Sequence, residues 1–151
     1  MNQTKLNIVL YEPEIPQNTG NIARLCACCG ADLYLVGKLG FSLSSKYTKR
    51  AGLDYWDSVN IVKIESMEKL YEMFPEGTFY YFTTKAQKLY TDIKFKDGDF
   101  IVFGPETRGL PDEYVQDENA RTIPMRENQR SLNLSNSVAI VAYEAVRQNG
   151  L

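Results

Sequence analysis

Histidine is missing altogether from these 151 residues. That excludes the Ser-His-Asp and Cys-His nucleophile mechanisms, His-ligated zinc and the commonest general base. Any chemistry here has to run without imidazole. Cysteine is scarce as well: Cys26, Cys28 and Cys29 are the whole complement, odd in number and crowded just ahead of Gly30. No second cluster completes a metal site or a disulfide framework. The three read as buried free thiols in a reducing cytoplasm, with a redox or metal role as the alternative. Long apolar stretches are lacking too. The first apolar run, residues 6–10, is too short for a signal peptide or a membrane span, so the expectation is a cytoplasmic protein with no membrane and no metal partner. Neither Gly-x-Gly-x-x-Gly nor a Walker sequence follows the first strand, whose loop holds only Gly20, which argues against a glycine-loop phosphate site. An excess of positive charge is also absent. Seventeen Lys plus Arg face nineteen Asp plus Glu, a net charge of -2; this does not announce a nucleic-acid binder, although a local basic patch would suffice for one.

What is present is an ordinary globular composition, 44% hydrophobic and 24% charged. The length fits one domain spanning residues 1–151, able to bury roughly 70% of its unfolded surface. Residues 6–10 read as a buried strand ended by the turn-rich Tyr11-Glu12-Pro13-Glu14-Ile15-Pro16. A loop reaches Asn18-Thr19-Gly20-Asn21, and Ile22, Leu25, Cys26 and Cys29 then fall at helical spacing with Gly30 as the stop. Strands follow at 33–36 and 59–64. Ser66 opens a helix to about residue 74, before Pro75. Further strands lie at 78–82 and 100–103, with a possible short element at 89–93 between them. A short helix begins near Pro111, a strand lies near 121–123, and a last helix covers about 134–148. Strands alternating with helices predict an α/β fold, a mostly parallel sheet with helices on both faces.

Two stretches look like a site. Gly104-Pro105-Glu106-Thr107-Arg108-Gly109-Leu110-Pro111 sits at the C-terminal end of a strand, where glycines allow close backbone approach and prolines hold it; read alone, it is equally a stiff turn. The stretch 122–136 passes from a strand through Pro124 and a loop with Arg126 and Arg130 to Ser131, Asn133 and Ser135 ahead of a helix. Ser or Asn there caps the helix or faces a ligand. In a parallel sheet the strand C-termini share one edge, where ligands of open α/β folds bind.

The residues Asn18-x-Gly20-Asn21-x-x-Arg24, then Phe103-Gly104-Pro105-Glu106-x-x-Gly109, then Ile123-Pro124-Met125 with Ser131-Leu132-Asn133-Leu134-Ser135-Asn136, resemble the three motifs of the SPOUT-superfamily RNA 2′-O-ribose methyltransferases. The phrases Leu-Tyr-Glu-Pro-Glu-Ile-Pro-Gln-Asn-Thr-Gly-Asn-Ile, Ala-Gly-Leu-Asp-Tyr-Trp and Gly-Pro-Glu-Thr-Arg-Gly-Leu-Pro are most similar to the minimal TrmL type. The resemblance covers nearly the whole chain in the right order. It implies methylation of the wobble nucleotide, cytidine or modified uridine at position 34, of leucine tRNAs. It also implies a deep trefoil knot in the last third of the chain, from about Phe100, a homodimer, and S-adenosylmethionine as cofactor. Nothing in composition or periodicity reveals a knot.

By the same resemblance the cofactor is bound by Phe82, Thr83, Gly104, Glu106, Gly109, Ile123, Met125, Ser131 and Leu132. Arg24, with Asn18, Ser131 and Asn133, is the implied catalytic group. A guanidinium of pKa above about 12 is a poor base, so Arg24 is read as a clamp for phosphate and hydroxyl, with a phosphate oxygen or water taking the proton. From its local sequence Arg24 is equally a helix-surface arginine, and Asn18 and Asn133 are equally helix caps. Lys46, Lys49 and Arg50, with Arg126 and Arg130, read either as solvated loop charges or as a phosphate-tracking patch for an anticodon stem. Tyr143 matches a position tied to dimer-dependent RNA binding. The apolar positions of the last helix, Val138, Val141, Ala142, Ala145 and Val146, suit a dimer interface or an intrachain core. Two readings stand beside tRNA position 34: methylation of another tRNA or rRNA position, and a catalytically silent RNA-binding relative. A small-molecule-binding domain with no nucleic-acid partner is a third.

Overall fold

The computed structural model describes residues 5–43 and 59–151. Its elements run β1 (Asn7–Tyr11), α1 (Pro16–Cys29), β2 (Asp32–Val36), β3 (Ile61–Ile64), α2 (Met67–Met73), β4 (Phe79–Phe82), a 3₁₀ turn (Tyr90–Asp92), β5 (Phe100–Phe103), α3 (Asp112–Val115), β6 (Ala120–Arg121) and α4 (Leu134–Asn149). The six strands form one sheet in the order β3-β2-β1-β5-β4-β6. Every pairing between them is parallel.

A strand buried on both faces has no reason to alternate polar and apolar residues, and β5, Phe-Ile-Val-Phe, is buried at every position. Alternate residues feed two cores. Ile8, Leu10, Leu33, Leu35, Ile101 and Phe103 pack with Ile22, Ala23 and Cys26 of α1 and with Val138, Val141, Ala142 and Ala145 of α4. The other set, Val9, Tyr34, Val36, Phe100 and Val102, packs with Met67 and Leu70 of α2 and Tyr114 of α3. Aromatic pairs hold β4 to β5 in register: Phe79 and Phe82 lie opposite Phe100 and Phe103 and stack on them at 4.3 and 4.9 Å between centroids. Such pairs add about 0.5–1.5 kcal/mol each beyond the area they bury.

Most boundaries agree with the sequence to within two residues. Helix α1 is the exception. It starts at Pro16, not beyond Asn21, because a proline at the first helical position loses no hydrogen bond and has its φ already set. At its other end Gly30 takes a left-handed φ of 75° and its N–H donates to the Cys26 carbonyl at 2.8 Å. Strand β6 stops at Arg121, short of the expected residue 123. Thr122 forms only an isolated bridge with Leu89, and Ile123 is followed by Pro124, which brings no N–H to a ladder.

The topology fixes where a ligand can enter. After β1 the chain turns to α1 on one face of the sheet; after the neighbouring β5 it turns to α3 on the other. Divergence of two adjacent connections leaves a crevice beyond the strand C-termini.

Candidate functional site

A cleft of about 490 Å³ lies at that crevice, inside the range usual for small-molecule sites. Phe82 and Thr83 line it from the end of β4, Gly104, Glu106 and Gly109 from the loop after β5, and Ile123, Met125, Ser131 and Leu132 from the segment ahead of α4. All nine positions expected to hold cofactor are therefore gathered at one cavity, together with Asn18 and Asn133. Gly104 has no substitute. A Cβ there would sit 2.4 Å from the Leu110 backbone nitrogen, so only glycine lets the loop fold back on the strand that launches it.

Three hydrogen-bonded links lace the loops together. Glu106 accepts the N–H groups of Glu14 and Ile15, each at 2.8 Å, and the Asn18 Nδ2 at 3.2 Å. Asn18 in turn accepts from Asn133 Nδ2 at 3.2 Å, so one chain of contacts joins all three motif segments. In the second link Glu14 accepts the Thr107 N–H at 2.8 Å and the Thr107 hydroxyl at 2.8 Å. Those two bonds, the backbone one foremost, hold the Glu14 carboxyl below the ordinary carboxylate range. The third is an ion pair, Arg108 to Glu12 at 3.2 Å. Glu12 has φ of +48°, a left-handed conformation that costs a non-glycine residue free energy and persists where neighbours hold it.

These contacts explain why the local sequence of α1 misleads. Its N-cap is Ile15, which has no side chain to offer the free N–H groups. A helix N-terminus needs acceptors and favours negative charge, and Glu106 supplies both from more than ninety residues away. Asn18 is thus not the N-cap that its sequence suggested. It lies inside the first turn of α1, 6% exposed. Asn133 is a true cap: its Oδ1 accepts from the N–H groups of Ser135 at 2.9 Å and Asn136 at 3.3 Å.

Not every expected site residue meets the cleft. Arg24 is exposed on α1 and is not among the residues lining the cavity. Arg126 is exposed and outside the lining, whereas Arg130 is part of it. Tyr143 stands 44% exposed on α4, close to Ile140 at 37%. Lys46, Lys49 and Arg50 lie outside the described residues. The expectation of three buried thiols holds only for Cys26, where burial pushes the thiol pKa up; Cys28 is exposed and Cys29 half-buried. Among the residues given no role from the sequence, Lys85 and Thr107 line the cleft, and Glu14 and Glu12 brace its wall. Glu14 and Thr107 are 93 positions apart, and no periodicity or spacing connects them. Lys85 carried a usable signal, since it follows a strand end on the shared edge.

Chemically the cleft is a mixed slot. Phe82, Ile123, Met125 and Leu132 offer apolar surface suited to a planar ring, and Lys85, Arg108 and Arg130 set positive charge around it. Glu106 is the one carboxylate in the lining among the described residues, and its oxygens are already engaged by three donors. No group of three or more Cys, Asp or Glu that could hold a metal ion occurs among the described residues. The lining fits a ligand that combines an apolar ring with an anionic group.

Comparison with known proteins places this architecture. The family model described as the SpoU rRNA Methylase family matches residues 5–143. The tRNA (cytidine(34)-2'-O)-methyltransferase of Methylovorus glucosotrophus is 50% identical over 147 residues, 95% of each chain. A solved structure described as giving structural insights into the 2-OH methylation of C/U34 on tRNA superposes with a TM-score of 0.91 at 43% identity, covering 97% of both chains. The fold extends to the SpoU methyltransferase AviRb from Streptomyces viridochromogenes in complex with the cofactor AdoMet, at a TM-score of 0.80 and 24% identity over 98% of this chain and 62% of that one. A match that runs nearly from end to end, with the motif segments meeting at one cleft, makes this chain a member of the SpoU rRNA Methylase family.

Proposed function

We propose that this protein transfers a methyl group from S-adenosylmethionine to the ribose 2′-oxygen of the nucleotide at position 34 of tRNA, cytidine or a modified uridine, with leucine tRNAs as substrates. The observation that carries the reading is the cleft at the β1–β5 crevice. It collects the nine expected cofactor positions and joins the three motif segments through Glu106, Asn18 and Asn133. The relative from Methylovorus glucosotrophus bears the name of that activity, and AviRb holds AdoMet on the same fold.

Bound in the cleft, S-adenosylmethionine supplies a methyl group already activated by its sulfonium, and no metal or imidazole is called for. The chain's part is to hold, orient and exclude water. Phe82, Ile123 and Leu132 take the adenine ring, and the loop 104–109, folded back on β5 because Gly104 has no side chain, offers its backbone to the cofactor. Orientation of the 2′-hydroxyl is worth roughly 7–11 kcal/mol at the favourable limit. Arg24 clamps the adjacent phosphate and stabilises the developing alkoxide; Ser131 and Asn133 face the reacting end. The proton leaves to a phosphate oxygen or water.

The protein works as a homodimer in the cytoplasm, its whole length one domain. The apolar Ile140 and Tyr143 on α4, with Ile15 and Leu132 at the cleft mouth, are exposed and favour a second copy as the covering surface. Arg24, exposed on α1, serves the RNA at that subunit boundary. Lys46, Lys49 and Arg50 add phosphate contacts with Arg126 and Arg130. The chain leaves β6 at one edge of the sheet and ends in α4 packed against α1, a return path that accords with a trefoil knot from about Phe100 onward.

The test is incubation with labelled S-adenosylmethionine and total tRNA from a strain lacking the gene, followed by mapping of the methylated nucleotide. Label at the 2′-O of position 34 in leucine tRNAs is expected. Label elsewhere would overturn the site, and no incorporation into any RNA would overturn the activity.

A further inference from the structure

We infer that Glu14 is a positioning residue for the cofactor loop, acting through Thr107. The inference rests on the reading that the cleft binds S-adenosylmethionine. The loop 104–109 forms a wall of that cleft, and its tip, Thr107 to Gly109, is exposed. An exposed tip of this kind needs an external restraint to keep one conformation, since ordering it costs backbone entropy. Its internal bonds are few: the N–H groups of Arg108 and Gly109 reach back to the Pro105 carbonyl at 3.3 and 2.9 Å. The remaining restraint comes from the loop after β1.

Glu14 grips the tip at two atoms of one residue, the Thr107 N–H and its hydroxyl. Glu106, the neighbour of Thr107, returns the grip by accepting the N–H of Glu14 itself. The two loops therefore cross with carboxylates pointing in both directions, a geometry that fixes both the separation and the rotation of one loop against the other. Hydrogen bonds to an ionised acceptor are the strong ones. Thr107 itself lines the cleft, and a loosened tip would move backbone that meets the ligand. Glu14 itself is not among the residues lining the cavity, and its carboxylate reaches the cleft through the Thr107 that it holds.

The experiment measures S-adenosylmethionine and S-adenosylhomocysteine binding by calorimetry, alongside methyl-transfer kinetics, for wild type, Glu14→Ala, Thr107→Val and the double variant. Thr107→Val keeps the backbone N–H and the side-chain volume, and it serves even if Glu14→Ala folds poorly. The expected result is a Kd for cofactor raised roughly tenfold in Glu14→Ala and severalfold in Thr107→Val. In Glu14→Ala, whose side chain is outside the cleft, the KM for tRNA and kcat at saturating cofactor should stay near wild type, and the double variant should be no worse than Glu14→Ala alone. Unchanged cofactor affinity in both single variants, or a parallel fall in kcat with both KM values affected alike, would overturn the inference. If the unmodified protein bound no cofactor, the functional reading would fail and this inference with it.

Discussion

The side-chain amide of Asn133 donates to the side-chain oxygen of Asn18 across 3.2 Å, although the two asparagines are 115 residues apart in the chain. Each has a further task. Asn18 passes the contact on to Glu106, while Asn133 caps α4. One amide pair thus sets the start of the last helix against the start of the first, at the edge of the cleft.

Removal of the middle member should therefore disturb both ends. Asn18 is buried, and Asn18→Ala takes from Asn133 Nδ2 its acceptor and removes one of the two donors on Glu106 Oε2, the Ile15 N–H remaining. A loss of about 0.5–1.5 kcal/mol of folding stability is expected, measured by urea denaturation, together with a clear fall in methyl transfer. Stability within about 0.5 kcal/mol of wild type, the usual range for an inconsequential surface change, would mean that the bridge contributes little.

The two tasks of Asn133 separate by substitution. Asp caps a helix about as well as Asn, but it has no amide to donate to Asn18. Asn133→Asp should keep the cap, lose about 0.5–1.5 kcal/mol with the bond to Asn18 and lower activity, whereas Asn133→Ala should lose about 1 kcal/mol more. Equal activity in Asn133→Asp and wild type would show that only the cap matters.

Arg24 is exposed, and Arg24→Lys should change folding stability by no more than about 0.5 kcal/mol. If the guanidinium clamps phosphate and hydroxyl through two donors, the point charge of lysine replaces it poorly. A fall in kcat of roughly 10- to 100-fold is expected, equivalent to about 1.4–2.7 kcal/mol. Near-normal turnover would remove planar clamping from the mechanism.

The end of α4 offers a pH test independent of the cleft. Glu144 accepts from Arg147 Nε at 2.8 Å and from Gln148 Nε2 at 2.8 Å, and those bonds, Arg147 foremost, bring its carboxyl from 4.5 down to about 2. A carboxyl whose pKa is depressed on folding stabilises the fold above its unfolded pKa and loses that contribution as pH falls through the folded value. Denaturation between pH 5 and pH 2 should show wild type losing stability more steeply than Glu144→Gln. Because the ion pair is solvent-exposed on the Arg147 side, the difference should be small; parallel curves would mean that the pairing is equally present in the unfolded chain.

Much of the fold could be read from the chain because its signals are local. Residues 100–103 are wholly apolar because both faces of β5 are covered, Ser66 accepts from the Lys69 N–H as an N-cap should, and Gly30 stops α1 by taking a left-handed conformation. The start of α1 could not be read, because its acceptor is on Glu106 and no rule of spacing looks that far. The composition of the site was legible for a different reason: three motif segments matched a family, and the parallel sheet brought them to one edge. Arg24 shows the limit of that route. Its motif is intact, yet within one chain it stands apart from the cleft it was expected to serve.

The distant acceptor at the start of α1 also orders events during synthesis. When residues 1–60 have left the ribosome, the first helix has its stop at Gly30 but no anion at its beginning, and β1 lacks its neighbour β5. Non-local partners arrive late and slow folding. The first helix of this protein is finished only once residue 106 has been made, so the N-terminal third should be a poor folder alone and a good binding target for chaperones until the centre of the sheet closes over it.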